Sequence, residues 1–102
     1  VGFARESQSI GGWEEALRVA LLHGERLAGR EPQNAERQLW LGRNRGYLAE
    51  YLDRDKRAAD AAAVRRLALQ SCRAALSIAA ATADQRLEAQ TCLKELGDAG
   101  VK

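Results

Sequence analysis

The side chains able to do chemistry are few in this chain: one histidine, His23, two cysteines, Cys72 and Cys92, and carboxylates scattered among arginines. His23 lies beside an apolar stripe with no Ser or Cys nucleophile motif near it in sequence, so it reads as a structural or surface histidine rather than a general base. A structural zinc site takes about four Cys or His ligands, and the chain has only these three such residues. Gly42 and Gly46 fall inside a helical pattern and no Gly-Lys-Ser or Gly-Lys-Thr follows them, so they do not form a phosphate-cradling loop. The acids alternate with Arg and Lys along helical stretches, as on solvated faces, rather than clustering on a loop. These readings predict no catalytic residue, no metal, no cofactor and no enzyme activity.

Cys72 and Cys92 are the sharper pair. Each is ten residues from Thr82, so a reversal there brings them level on facing helices. A bridge needs Cα atoms within about 7 Å, whereas helix axes pack about 8–10 Å apart, so it demands a close crossing. Two small buried thiols are the favoured reading, and a bridge becomes the better one if the protein is exported. Two cysteines in 102 residues are too few for a disulfide-dense secreted domain, which makes the cytoplasm the expected location.

The elements that must position these residues are helical. Hydrophobic residues make up 46% of the chain but aromatics only 5%, and Ala and Leu dominate over β-branched types. No run approaches the roughly 18 to 20 apolar residues of a membrane span. The chain opens on Val1 without a signal-like segment, and is expected to be a single domain, 1–102, cut from a longer protein.

Trp13, Leu17, Ala20, Leu21, Gly24, Leu27 and Ala28 recur every three or four residues and predict a first helix from Gly12 to about Arg30, after a turn at Gly11-Gly12. Asn34 is a fitting N-cap for a second, whose Trp40, Leu41, Asn44, Tyr47, Leu48, Tyr51 and Leu52 fall within about 140° of arc. The polar stretch at residues 53–57 is expected to hold a turn, although no Gly or Pro marks it, with an uninterrupted helix as the alternative. Val64, Leu67, Ala68, Cys72, Ala75, Leu76 and Ala79 predict a third helix ending near Ala80. Thr82 with Gln85 forms a capping box for a fourth, which carries Leu87, Cys92, Leu93 and Leu96 inward. The fold class is therefore all-α, with antiparallel helical hairpins.

A shift of 48 residues places Asn34-Ala35-Glu36 over Thr82-Ala83-Asp84, Leu39 over Leu87 and Ala20-Leu21 over Ala68-Leu69, so the unit is a helix pair. Gly-Gly-Trp-Glu-Glu-Ala-Leu at 11–17, followed by Pro32 and a second helix, resembles the tetratricopeptide repeat. Lys94-Glu95-Leu96-Gly97-Asp98 resembles the Leu-Gly step of that family's first helix. The junction Glu25 to Glu36 is similar to that of a bacterial subgroup with repeats longer than the usual roughly 34 residues. Cys72 stands where that family often has an aromatic, and Ala80 where the second repeat would close with proline. A plain four-helix bundle carrying the same stripes is the alternative.

The resemblance implies a peptide-binding groove lined by one helix of each pair. It makes Trp40, Arg43, Asn44, Tyr47 and Tyr51 the candidate partner-binding residues, with Asn44 on a peptide backbone and Arg43 or Arg45 on a carboxylate. An Asn44 serving only as a hydrogen-bonded core amide is the equal alternative. Residues 37–73 hold nine basic and four acidic side chains within a chain of net charge +2, which favours an acidic peptide or protein partner. The leading expectation is a non-catalytic scaffold that binds protein. A self-stacking oligomerisation module is second, with Leu93 and Leu96 at its open end, and nucleic-acid binding by the basic middle hairpin is third.

Overall fold

A computed structural model of the chain describes residues 2–101, with side chains described for residues 12–97. Four helices follow one another: α1 (Gly2–Arg30), α2 (Ala35–Arg54), α3 (Ala58–Ser77) and α4 (Ala83–Val101). No strand occurs among the described residues. The first helix is longer than its sequence predicts. Gly11-Gly12 does not break it, and the α-helical backbone continues through both glycines.

Local chemistry sets the turns. Pro32 follows α1, and Asn34, in an extended conformation, caps α2 by accepting the Arg37 N–H on its side-chain oxygen at 3.2 Å. The Asn34 amide in turn donates to Glu31 at 3.1 Å. At the start of α4, the Thr82 hydroxyl accepts the Gln85 N–H at 3.1 Å while Gln85 accepts the Thr82 N–H at 2.9 Å, the reciprocal capping box. The two capped starts lie 48 residues apart in sequence.

Residues 53–57 do break the helix. The Arg57 N–H donates to the Leu52 carbonyl at 2.8 Å and the Lys56 N–H to the Asp53 carbonyl at 3.1 Å, the paired bonds of a Schellman motif. Lys56 takes the left-handed position with φ 59°, a place that glycine usually occupies. That substitution is why no glycine marks this turn. α3 stops at Ser77 rather than near Ala80, because Ile78 turns extended and buries itself beside Ala35 and Ala81.

Helix α2 is the centre of the molecule. It packs against α1, α3 and α4, and α3 packs against α4; among the described residues the α1 backbone approaches neither α3 nor α4. An up-and-down bundle closes by bringing its first and last helices together. Here the helices instead form an open layer of two hairpins, with extents of 49 × 32 × 21 Å. One core joins Leu21 and Ala28 of α1 to Leu41, Leu48 and Leu52 of α2 and Ala61 of α3. A second, made of Leu39, Ala75 and Ala89 with Leu76 against it, joins α2, α3 and α4. The inward face of α4 is thus carried by Ala89, not by Leu87, which is 62% exposed on the opposite side.

Candidate functional site

Small residues fill the contact between α2, α3 and α4. Ala68, Cys72 and Ala75 of α3 and Ala89 of α4 are all buried, and Gly42 of α2 faces them. This brings the Cα atoms of Cys72 and Cys92 to 6.3 Å, and the two cysteines form a disulfide. The expectation of free core thiols is therefore corrected. Helices with such small contact residues cross nearer than the usual axis separation, which is what the bridge requires. A Cβ added to Gly42 would lie 2.5 Å from the Cys72 sulfur, so glycine at this position is what admits the bridge.

Beside the bridge, α2 and α4 leave a groove of 380 Å³. The helices run parallel here, Gly42 facing Cys92 and Gly46 facing Leu96 one turn further on. Tyr47, 56% exposed, stands on the α2 side and Leu96 on the α4 side. Two ion pairs flank the groove: Arg43 donates to Glu88 at one end, and Arg65 of α3 donates to Asp53 at the other. Glu50 and Glu95 line it between them.

The five predicted partner-binding residues do not form one surface. Arg43 and Tyr47 line the α2–α4 groove. Trp40 lies on the other side of α2, in a hollow shared with Gly24 and His23 of α1. Tyr51 packs into the first core and its ring lies 5.2 Å from that of Trp13. Asn44, half-buried, donates its amide to the Trp40 carbonyl one turn back, at 2.8 Å. The divergence is geometric: an arc of about 140° on α2 is wide enough to face α1 along one edge and α4 along the other. Sequence reasoning missed the α4 lining residues Glu88, Thr91 and Glu95, which an amphipathic stripe treats as solvent-facing.

The basic middle hairpin is largely neutralised. Of its nine cationic side chains, Arg37, Arg43, Arg45, Arg54, Arg57 and Arg65 are in ion pairs. Arg45 is structural: it is 11% exposed, donates to Glu25 of α1 at 2.6 Å and to the Ser71 hydroxyl of α3 at 2.7 Å, and so ties three helices together. Arg57 clamps Glu14 at 2.9 and 3.2 Å. That hydrogen bond, helped by Arg18, holds the Glu14 carboxyl below its ordinary value of 4.5. No cluster of three or more His, Cys, Asp or Glu suited to a metal occurs among the described residues, and no helix there is long and apolar enough to cross a membrane. No protein-family model, curated protein or solved structure matches the chain.

Proposed function

We propose that the chain is a non-catalytic protein-interaction module, tetratricopeptide-like in design, that takes a peptide segment of its partner into the α2–α4 groove. The observation carrying this reading is the exposed Tyr47 set across from Leu96, over a floor closed by the disulfide. Tyrosine beside a concave apolar surface is the common anchor of protein interfaces. Changing Tyr47→Ala together with Leu96→Lys is expected to weaken capture of a bound partner by about tenfold or more while helicity stays unchanged. Asn44→Ala, which alters only a bond inside α2, serves as the control that keeps capture. If capture survives the Tyr47 and Leu96 changes, the groove is not the site.

A second reading, self-association, is favoured by α1. Its inner face buries Leu21 and Ala28, yet Val19 and Leu22 on the other side are 50% and 56% exposed, and a helix apolar on two faces usually has a neighbour on each. Sedimentation that shifts with concentration, and loses that shift in Leu22→Glu, would support stacking of copies through α1. For location, the Cys72–Cys92 bridge supports an oxidising compartment over the cytoplasm expected from cysteine count alone.

A further inference from the structure

We infer that the occupant of the α2–α4 groove is a basic segment carrying one apolar side chain, rather than the acidic peptide that the overall charge pattern suggests. This rests on the groove being the binding site. The lining contains four carboxylates, Glu50, Asp53, Glu88 and Glu95, against two guanidinium groups, Arg43 and Arg65. Both arginines are already engaged, Arg43 by Glu88 and Arg65 by Asp53. An incoming carboxylate would have to separate one of these pairs and still meet the two acids in the middle of the groove.

Those two acids are the available ones. Glu95 makes no ion pair among the described residues, and Glu50 is held only by Arg54, in a pair whose side chains are 61% and 77% exposed. Exposed pairs of this kind contribute little and exchange readily for another cation. From Arg43 to Asp53, α2 rises roughly 15 Å, the span of about four or five extended residues. A short segment thus places an apolar side chain against Tyr47 and Leu96 while a Lys or Arg on either side meets Glu50 or Glu95. Like-charge juxtaposition excludes acidic segments and charge complementarity speeds the approach of basic ones.

The test uses three synthetic peptides with one shared leucine flanked by lysines, by glutamates or by serines. Each is titrated into isotope-labelled, oxidised protein while the amide resonances of Gly46, Tyr47 and Leu96 are followed. The lysine peptide is expected to shift these resonances and to bind about tenfold more tightly than the serine peptide, with an advantage that shrinks as salt is raised. Glu50→Gln with Glu95→Gln should remove that advantage, and Glu50→Lys with Glu95→Lys should transfer it to the glutamate peptide. If the glutamate peptide binds the native groove as well as the lysine peptide does, the charge assignment falls while the groove stands. If none of the three moves the groove resonances, both fall.

Discussion

On one side of α2, helix α1 is held by Leu21 and Ala28 in the core and by two ion pairs, Glu25–Arg45 and Glu14–Arg57. On the other side, α3 and α4 meet over alanines and are joined covalently through Cys72 and Cys92. Both sides approach α2 at a glycine: Trp40 of α2 folds against Gly24 of α1, and the bridged Cys72 lies against Gly42 of α2 itself. The first contact uses a partly exposed aromatic ring held by packing alone. The second uses a sulfur held by its partner. One helical layer thus combines an adjustable edge with a fixed one, and the groove lies on the fixed edge.

Removing the bridge should have the largest effect. Changing Cys72→Ala with Cys92→Ala frees a loop with a sequence separation of 20. Urea unfolding is expected to show a loss of about 3 kcal/mol, the chain-entropy value for a loop of this length. The α1 edge should be spared, with hydrogen exchange in α1 changing less than in α4. Equal loosening of both helices would mean that the two edges are one cooperative unit.

The paired glycines sharpen the contrast at a smaller scale. Gly42→Ala drives a methyl group onto an immobile sulfur and should cost about 1–3 kcal/mol, more than the roughly 1 kcal/mol of helix propensity that alanine returns. At Gly24 an added Cβ would overlap the Trp40 ring and lie 3.1 Å from buried Leu41, so Gly24→Ala should also destabilise, but by less than Gly42→Ala because the partly exposed ring is not covalently held. Because Gly42 is confined by the bridge, its substitution should become tolerable in the Cys72→Ala, Cys92→Ala background, a coupling that a double-mutant cycle reads directly.

The smallest effect is on the adjustable edge and depends on pH. The Glu14 carboxyl is held below 4.5 by Arg57 and then Arg18. Its contribution is complete above that unfolded value and is lost as pH falls through the lowered folded value. Glu14→Gln should flatten this part of the acid-unfolding profile and cost a modest amount of stability near neutrality, where its pair with the half-exposed Arg57 is complete. An unchanged acid limb would show that the pair does not fasten α1.

Much of this layout was legible in the residues. The Asn34 cap, the Thr82–Gln85 capping box and the existence and type of all four helices follow from local pattern, because each is set by side chains within one turn of its own backbone. The continuation of α1 through Gly11-Gly12 was not legible, since glycine weakens a helix without forbidding it. A turn within residues 53–57 was expected from their polarity, but not its pivot at Lys56, where a non-glycine residue takes the left-handed conformation. The disulfide depended on how closely α3 and α4 cross, which is fixed jointly by Ala68, Ala75, Ala89 and Gly42 from three helices. The candidate site was half legible for the same reason: α2 shows which residues share an arc, but which edge of that arc faces α1 and which faces α4 is decided between helices.

The short connections between neighbouring helices bear on the order of events during folding. Chains dominated by local helical contacts fold in microseconds to milliseconds, whereas a disulfide takes seconds to hours to form. The two hairpins should therefore assemble first, with Cys72 already enclosed beside Gly42 and Cys92 still reachable from the groove. Oxidation then records a packing that the alanines have already chosen, and the covalent link preserves the fold's geometry rather than directing it.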